Sequence, residues 1–481
     1  MPRKEKSSNE SNKERKCIRE DKLLFFLRNY RELYIMVIER GIFMKYYCIG
    51  IKGSGMSTLA QILYDMGNEV SGYDDSIEHK YTEEGLNKRG ITVYHDHMHS
   101  IDQDTIVTYS KAFQEDHPEL QRVREQGLKI ISYNELLGHL TELFETTCVC
   151  GTHGKTTTSL LISHIMQNTI GCNYFVGDGS GYANKKNKRF IMESCEYNRH
   201  FLAYHPTNVI LTNIELEHTE CYDGLDDIIH TFQTFVQKAT GIAIMCGDDQ
   251  NVRKIASSVK TIYYGFDEKN DLIAKNVKLT NLGSEFDVYQ NQKFYGHFSL
   301  PLFGKHMILN ALAAIAICDY YGISAKDIEQ SVHTFKGAKR RFKETCVGDT
   351  VIIDDYAHHP TELRVTLEAA HQKCPNKELV AVFLPNTYSR TLALLNDFVE
   401  VLKKADKAYI MDIHCDRERK EDYQNVSSDM LIEQIPNSEK ISENSVEKLL
   451  KHKNAVICFM SCADIYVLER KYEDLLGVEH D

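Results

Sequence analysis

Short apolar runs recur along most of this chain, and each is followed by a polar or glycine-containing turn and then by a segment with helical spacing. The first run, residues 46–49, leads into a glycine turn at residues 50–55 and an apolar stripe from Met56 to Met66. Near-continuous apolar runs are typical of strands in a buried parallel sheet, and apolar residues three and four apart indicate one face of a helix. The repeated order predicts an α/β fold.

Changes in this pattern divide the chain into four segments. Residues 1–43 are charged and rich in serine and asparagine before an amphipathic stretch, and we predict a dispensable extension that is helical or disordered. Residues 44–145 are predicted to form a Rossmann-like domain and residues 146–336 a central α/β domain with a phosphate-binding loop. Residues 337–481 are predicted to form a second Rossmann-like α/β domain, which gives three α/β domains in all.

Further strands and a helix are predicted in residues 146–336, and four strands are predicted in residues 337–481. Alternating polar and apolar residues at 273–300 predict short antiparallel strands, and an alanine-rich run predicts a helix over residues 310–321. The apolar runs of the last segment predict a buried parallel sheet; they are residues 351–353, 379–384, 408–411 and 455–459.

The amino-acid composition indicates which classes of binding partner and which cellular compartment to expect. The net charge of −12 argues against a nucleic-acid binder that works by neutralising phosphates. The 14 cysteines are scattered, which suits reduced thiols better than a disulfide framework. No apolar run approaches the roughly 20 residues that a membrane-spanning helix needs. We therefore expect a cytoplasmic protein with small-molecule partners, no nucleic acid and no membrane insertion, and the sequence leaves its oligomeric state open.

The strongest chemical signal is the run Gly-Thr-His-Gly-Lys-Thr-Thr-Thr at residues 151–158, between a predicted strand and a predicted helix. Such a loop holds phosphates with its backbone N–H groups, while Lys155 reaches the terminal phosphates and Thr156 offers a hydroxyl to Mg²⁺. The general pattern places a glycine where Val149 stands, so this is a shorter form of the loop. The alternative is an ordinary strand–helix turn with a surface lysine. The predicted ATP-binding residues are Gly151, Thr152, His153, Gly154, Lys155, Thr156 and Thr157.

Polar residues follow the next two predicted strands of the central domain. Glu193 and Glu196 follow residues 190–192, and His218 ends the polar run after residues 209–212. In open α/β sheets, ligands bind beyond the carboxyl ends of the strands. Mg²⁺ prefers oxygen ligands and tolerates an imidazole, so we predict a magnesium site of Thr156, Glu196 and His218, although ordinary loop residues are the alternative.

Glycines and histidines mark two further loops of the first domain. Gly53, Ser54 and Gly55 precede a helix, and Asp74 follows about 20 residues later, as ribose recognition needs. The glycine spacing is a weak match to the NAD pattern, and we favour another phosphate-bearing ligand. The alternating histidines at residues 95–99 could ligate a metal from one strand face, but we interpret them as a solvated loop.

Two strand ends of the last domain carry His, Asp, Ser and Arg. Pro360 is predicted as a first helical residue with His359 at the cap, and Arg390 could bind a carboxylate with its planar fork. A small-anion pocket and a pair of capping boxes are both compatible with this pattern. Three α/β units, of which one has a full phosphate–Mg²⁺ set, indicate a ligase or a kinase.

Several motifs occur together in an order that resembles the Mur ligases. They are residues 50–57, 151–158, 193–202, 212–218, 339–342, 354–362 and 389–391. The resemblance extends from Met44 to about residue 475. The phosphate loop alone is similar to a wider ligase group, whereas residues 50–57 and 354–362 resemble the alanine-adding branch of the family.

The resemblance implies an ATP- and Mg²⁺-dependent ligase that joins L-alanine to the lactyl carboxylate of UDP-N-acetylmuramate through an acyl phosphate, in peptidoglycan precursor synthesis. The alternatives are a ligase that adds a preformed peptide to the same sugar nucleotide, and a nucleotide-binding homologue with weakened catalysis. An NAD-dependent oxidoreductase built on the first loop is the least favoured.

The resemblance also assigns roles to residues. Gly53, Ser54, Gly55 and Asp74 would hold the UDP part, and His306 and Asn310 would contact adenine. Arg341, Tyr356, His358 and Arg390 would serve the substrates, including L-alanine. The implied catalytic residues are Lys155, Glu196, His218, His358 and Arg390. The sequence departs from the family pattern at Glu217, Met307, Asn386 and Ser461.

Overall fold

The computed structural model describes residues 43–218, 220–415 and 418–478, and it has three mainly parallel sheets flanked by helices. The predicted α/β class is confirmed. The predicted N-terminal extension lies outside the described residues, apart from Phe43. The chain divides into two compact units, and the second unit holds both the second and the third sheet.

The first unit contains a parallel sheet. It comprises the described residues up to Glu145 together with residues 179–186 and 203–205. Its strands are β1 Lys45–Ile49, β2 Glu69–Tyr73, β3 Thr92–Tyr94, β4 Thr105–Tyr109 and β5 Lys129–Ser132, and the short β8 Gly181–Tyr182 also belongs to this unit. Its helices are α1 Ser54–Asp65, α2 Glu83–Asn87, α3 Pro118–Glu125 and α4 Tyr133–Glu142. The sheet order is β3-β2-β1-β4-β5, with β1 and β2 in register from Lys45↔Glu69 to Ile49↔Tyr73.

The second sheet is parallel through its centre and ends in an antiparallel meander, as the sequence predicts. Its strands in the second unit are β6 Glu145–Cys150, β7 Asn173–Phe175, β9 Arg189–Glu193, β10 Asn208–Leu211, β11 Ile242–Cys246, β12 Lys260–Gly265, β13 Leu272–Thr280, β14 Gly283–Gln290 and β15 Lys293–Leu300. They lie in the order β15-β14-β13-β12-β11-β10-β6-β9-β7. The pairs β13–β14 and β14–β15 are antiparallel.

Helices pack on this sheet, and the apolar side chains between the helices and the sheet form a hydrophobic core. They are α5 Lys155–Gln167, α6 Leu225–Val236, α7 Lys305–Tyr320 and α8 Ala325–His333, with 3₁₀ segments at Tyr197–Ala203 and Val252–Lys254. The helix α7 begins at Lys305, five residues before the predicted start at residue 310. The first turn precedes the alanine-rich run on which the prediction rested, and its first residue, Lys305, is exposed.

The third sheet is a contiguous stretch of the chain. Its strands are β16 Lys343–Val347, β17 Thr350–Asp355, β18 Glu378–Phe383, β19 Lys407–Ile410, β20 Ser438–Lys440 and β21 Ala455–Met460, in the order β16-β17-β21-β18-β19-β20. Its helices are α9 Pro360–Lys373, α10 Tyr388–Ala393, α11 Leu395–Leu402, α12 Asp429–Ile432 and α13 Tyr466–Leu475, with 3₁₀ segments at Lys420–Tyr423 and Glu443–Lys451. The four predicted strands are present. The edge strands β16 and β20 were not predicted, because neither is a buried apolar run.

Two findings bear on compartment and redox state. Within the described ranges, no helix combines the length and apolar character that a membrane crossing requires. The cysteines of these ranges are all free thiols, and most of them are buried. The redox state of these thiols stays a prediction.

A buried carboxyl on α13 gives a testable pH dependence. Glu469 is 8% exposed, and burial together with the charges of Asp354 and Glu473 raises its pKa to about 8, although Lys343 and Arg340 act in the opposite direction. A raised pKa means that the folded state keeps a proton that the unfolded state releases above about pH 4.3, so stability falls as the pH rises towards 8.

We therefore expect the free energy of unfolding of Glu469→Gln to rise relative to that of the original protein from about pH 5 to pH 8, by up to about 1.4 kcal/mol for each pH unit, with a matching rise in the thermal midpoint. Thermal unfolding across this pH range measures the difference. Glu447→Gln, at an exposed position of the 3₁₀ segment Glu443–Lys451, is the control and should show no such trend. A constant difference between Glu469→Gln and the original protein at all pH values would contradict the expectation.

Candidate functional site

The phosphate-loop segment lies between β6 and α5, as predicted, and two of its glycines are conformationally required. Gly151 has φ 133° and Gly154 has φ 82°, values that side chains other than glycine rarely adopt. A Cβ at Gly151 would lie 2.1 Å from Thr212 Oγ1, and one at Gly154 would lie 2.7 Å from Asn310 Oδ1. Only a bare backbone fits at both positions, which is the form that a phosphate cradle needs.

Lys155, the first residue of α5, folds back over this loop. Its Nζ donates to Gly151 O at 2.6 Å and Thr152 O at 2.9 Å, and it lies 3.0 Å from Glu196 Oε2. Burial lowers the pKa of the Lys155 ammonium, but Glu196, Glu193 and Cys195 together outweigh burial, and the pKa lies above its ordinary value. The amine therefore stays charged at the mouth of the loop.

Thr156 contacts a carboxylate that the predicted metal set omits. Its Oγ1 donates to Glu193 Oε1 at 2.9 Å, and Glu193 Oε2 accepts from the backbone N–H of Gly177 at 2.7 Å. Burial raises the pKa of the Glu193 carboxyl. Glu193 is the last residue of β9, so its position at a strand end was the available sequence signal.

His218 follows β10 and completes the predicted metal group. Its Nε2 lies 3.9 Å from Glu196 Oε1, and its backbone adopts φ 54°, in the left-handed region. Glu196 is buried, with 2% of its surface exposed, and it contacts both Lys155 and His218. Glu193, Glu196 and the Thr156 hydroxyl supply hard oxygen donors beside the cradle, so the donor set fits Mg²⁺ bound to nucleotide phosphates.

Glu362, in the first turn of α9, organises the third-sheet part of the site. His359 is the N-cap residue and Pro360 the first helical residue, as predicted. Glu362 accepts from the His358 backbone N–H at 3.0 Å and from Arg341 Nη1 at 3.2 Å. His358 Nδ1 lies 3.0 Å from Tyr356 O, and the Arg341 guanidinium lies 5.0 Å from the Tyr356 ring centroid. The structure thus brings together Arg341, Tyr356 and His358.

Arg390 binds a buried carboxylate of the central region. Its Nε donates to Glu217 Oε1 at 3.1 Å, and its Nη2 donates to the same oxygen. Glu217 is 7% exposed. Burial raises the pKa of its carboxyl, but the charges of Arg390 and of the neighbouring histidines together outweigh burial and lower that pKa to about 2. A small pocket beside this pair is lined in part by His218, Thr387 and Leu394.

His153, Glu215 and His359 form a second cluster on the other side of the loop. His153 Nε2 lies 3.5 Å and His359 Nδ1 lies 3.6 Å from Glu215 Oε2. Burial lowers the pKa of His153, but Glu215 and Glu362 outweigh it and raise that pKa to about 9. Burial and the charge of His153 lower the pKa of His359 to about 4. The predicted loop residue His153 therefore faces carboxylates of two different segments.

The predicted adenine residues lie on the first turns of α7. Asn310 packs against Gly154, and its Nδ2 lies 3.8 Å from Met307 Sδ, so the departure at Met307 places a thioether where the family pattern has an amide. Burial, and then the charge of Arg341, lower the pKa of His306 to about 4. His306 is therefore neutral, but its adenine contact stays a prediction.

Two other departures from the family pattern have local explanations. Ser461 donates to Leu384 O at 2.9 Å and accepts from the Ala463 backbone N–H at 3.0 Å, so its hydroxyl ties two strand ends together. Asn386 pairs with His414 through a single parallel bridge. These contacts stabilise the loops at the carboxyl edge of the third sheet.

The predicted UDP residues belong to the first unit. Gly53 precedes α1, and Ser54 and Gly55 are its first residues. Asp74 accepts from the backbone N–H of Lys52 at 2.9 Å, so its carboxylate fixes the glycine loop. Within this unit the predicted ligand role of these residues stays a prediction.

The alternating histidines lie in the loop after β3, as the favoured interpretation had it. His97 Nδ1 lies 2.6 Å from Glu119 Oε2, and His99 Nε2 lies 2.7 Å from the Tyr47 hydroxyl. Among the described residues, the geometry suited to a metal ion is found at His153, Glu215 and His359, and not at these three histidines. They stabilise the loop instead.

Three family models match consecutive parts of the chain. The model described as the Mur ligase family catalytic domain matches residues 45–145, that of the Mur ligase middle domain residues 149–318, and that of the Mur ligase glutamate ligase domain residues 340–462. The chain belongs to the Mur ligase family. The matches follow one another in chain order and leave only short gaps between them.

Solved structures of Mur ligases share this fold. UDP-N-acetylmuramate-alanine ligase MurC from Thermotoga maritima has a TM-score of 0.76 at 24% identity, over 91% of this chain and 100% of that one. A murein peptide ligase from Psychrobacter arcticus gives 0.67 at 21% identity, over 91% and 100%. A MurF ligase from Thermotoga maritima in complex with ADP gives 0.58 at 15% identity, over 85% and 95%. All three identities are below 25%, so the similarity concerns the fold, which is the three-domain Mur ligase architecture.

Membership of the Mur ligase family supports an ATP-dependent ligase of peptidoglycan precursors. The groups gathered at the carboxyl edges of the second and third sheets are those that such chemistry needs: a lysine on a phosphate loop, buried carboxylates and an arginine.

Proposed function

We propose that this chain is the ligase that joins L-alanine to the lactyl carboxylate of UDP-N-acetylmuramate. The observation that carries the proposal is the convergence of Lys155, Glu196 and His218 beyond the carboxyl ends of β6, β9 and β10. Ligands of open α/β sheets bind at this edge. The choice of substrates is supported by the run at residues 354–362 and by the fold likeness to the Thermotoga maritima enzyme.

The proposed reaction has two steps. An oxygen of the lactyl carboxylate attacks the γ-phosphorus of ATP, the bond from that phosphorus to the β–γ bridging oxygen breaks, and ADP leaves with the electron pair. The amine of L-alanine then attacks the acyl carbon, the bond to the phosphate oxygen breaks, and inorganic phosphate leaves as the nitrogen loses a proton. Both steps depend chiefly on positioning and on neutralisation of phosphate charge.

The central residues would bind the nucleotide. The backbone from Thr152 to Thr157 would hold the phosphates, and the charged Lys155 would neutralise the terminal ones. When bound, Mg²⁺ supplies further neutralisation of phosphate charge. Thr156, Glu196 and His218 would hold the ion, and Glu193 would orient the Thr156 hydroxyl through the contact of 2.9 Å.

The third-sheet residues would receive L-alanine. Arg390 has a fork suited to a carboxylate, which it uses on Glu217 in the structure. His358 is suited to accept the amine proton, because Tyr356 O can only accept and therefore fixes the ring hydrogen on Nδ1. The other ring nitrogen, Nε2, is then the atom that takes a proton. Arg341 positions this segment through Glu362.

The direct test is phosphate release from the full chain with ATP, Mg²⁺, UDP-N-acetylmuramate and a panel of amino acids. L-Alanine should give the largest kcat/KM, above serine and glycine. Release that does not exceed that of Lys155→Ala under any amino acid would contradict the ligase. A product whose mass equals the sugar nucleotide plus one alanyl residue identifies the bond formed.

A second candidate is a ligase that adds a preformed peptide, favoured by the likeness to the murein peptide ligase and by the departure at Asn386. Replacing L-alanine by a tripeptide in the same assay distinguishes the two activities. Tight binding of ATP or of the UDP-sugar by calorimetry, with no turnover under either amine, would instead support a catalytically weakened homologue.

A further inference from the structure

We propose that His153, Glu215 and His359 form a zinc site, separate from the magnesium group of Thr156, Glu196 and His218. The three ligand atoms lie within 4.8 Å of one another, and both imidazole nitrogens lie within 3.6 Å of Glu215 Oε2. A tetrahedral Zn²⁺ with bonds of about 2.0–2.1 Å places its ligands about 3.4 Å apart. The two spacings from Glu215, 3.5 and 3.6 Å, are close to this value, and the spacing between the two imidazole nitrogens is at most 4.8 Å, so the histidines would move towards each other on binding.

The ligand types select a borderline metal over magnesium. Two imidazoles and one carboxylate are typical of zinc sites, whereas Mg²⁺ prefers oxygen donors throughout. Three protein ligands would leave a fourth position for water or for a group of the substrate. His359 is 5% exposed and the His153 side chain 13%, whereas the Glu215 side chain is 32% exposed, so the site is shielded on the histidine side and reaches solvent at Glu215.

Carboxylates stand behind both imidazoles, as in many metal sites. Glu362 Oε1 lies 3.4 Å from His153 Nδ1, and Glu217 Oε2 lies 3.9 Å from His359 Nε2. Glu362 would hold the His153 hydrogen on Nδ1 and so direct Nε2 to the metal, whereas the 3.9 Å contact at His359 is electrostatic only. The proposed ligand atom of His153, Nε2, has no hydrogen-bond partner among the described residues.

The present contacts of the His153 and His359 ligand atoms would change on metal binding. His359 Nδ1 accepts the backbone N–H of Thr361 at 3.3 Å, which is a long capping bond. The Thr361 hydroxyl donates to Glu215 Oε2 at 2.7 Å and can stay in place, because the second lone pair of that oxygen is available to the metal. The ion would thus replace this weak bond and the contacts of His153 and His359 with Glu215 by three metal–ligand bonds.

The site would connect three separate segments of the second unit. His153 belongs to the phosphate loop, Glu215 follows β10, and His359 caps α9 of the third sheet. An ion held by all three would restrain the phosphate loop against the third sheet. Because Zn²⁺ would bind the folded chain more tightly than the unfolded one, it should raise the thermal midpoint by a few degrees.

The binding test uses the full chain in excess Mg²⁺ and ADP, so that the magnesium group is occupied. Zn²⁺ is titrated against a chromophoric chelator. We expect the original protein to bind one more tight Zn²⁺ than Glu215→Gln or His359→Gln, each of which should lose at least about 100-fold in affinity. His297→Gln is the matched control, because His297 Nδ1 contacts Asp287 at 2.7 Å without a third ligand. It should bind zinc as the original protein does.

Two outcomes would overturn the proposal. One is an equal number of tight zinc ions in the original protein and both variants, each shown to be folded by circular dichroism. The other is measured on the original protein with added Co²⁺. The proposal predicts the intense visible bands of four-coordinate cobalt without a thiolate charge-transfer band. Weak six-coordinate bands alone, or thiolate bands, would exclude this histidine–carboxylate site. The readout is metal binding, so a failure of the proposed ligase activity leaves it unaffected.

Discussion

Replacing Lys155 by alanine should reduce ATP-dependent phosphate release by about 100- to 1000-fold, the loss expected when one charge-stabilising group is removed from a preorganised site. Lys155 Nζ contacts two loop carbonyls and Glu196, and its pKa is held above the ordinary value, so it brings a full positive charge to the loop. The loss should appear mainly in kcat, because charge builds up on the phosphoryl oxygens in the transition state.

The measurement is steady-state phosphate release at saturating nucleotide. Lys254→Ala is the matched control, since this exposed lysine bonds only to the nearby Asn251 side chain and should leave the rate unchanged. Retention of more than half of the original rate by Lys155→Ala would exclude Lys155 from the chemistry. Circular dichroism should accompany the assay, because the variant leaves the buried Glu196 without its closest cation.

Replacing Arg390 by alanine should destabilise the second unit by about 3–5 kcal/mol, the cost of leaving a buried charge unpaired. Glu217 is 7% exposed, and Arg390 donates to it through two nitrogens. Because Arg390, with the neighbouring histidines, lowers the pKa of Glu217 to about 2, the stability that this pair contributes is present above about pH 4.3 and is lost as the pH falls towards 2. Thermal and urea unfolding at neutral pH would show the effect.

The double variant Glu217→Gln/Arg390→Met distinguishes the cost of an unpaired Glu217 carboxylate from a general loss of folded structure. It removes both charges and should recover most of the stability, because the penalty comes from the unpaired carboxylate. Lys471→Ala is the control, since its pair with Glu443 is 43% and 45% exposed and contributes little. A double variant no more stable than Arg390→Ala would contradict the explanation.

Local patterns made much of the fold predictable. The order β6, glycine loop, α5 follows from residues 146–166, because apolar spacing and glycine positions act over a few residues. Pro360 and the His359 cap were predicted for the same reason. The start of α7 was not, because the alanine-rich run that indicated the helix begins only after its first turn.

The partners inside the candidate site were harder to predict. Strand ends indicated Glu217 and Arg390 separately, but their ion pair joins residues 173 positions apart and depends on how the third sheet packs. The same holds for Thr361 and Glu215, 146 positions apart. Sequence periodicity reports which face of an element is buried, and it carries no information about which distant side chain lies opposite.

The left-handed backbone at His218 sets stability against chemistry at one position. A non-glycine residue with φ 54° carries a conformational cost of about 1–2 kcal/mol, which glycine would avoid. Glycine offers no imidazole, however, so selection for folding alone would favour replacing this histidine, whereas selection for the proposed metal binding would retain it. If the proposed role is correct, glycine at this position of a homologous chain would mark a member that does not bind the metal ion through this residue.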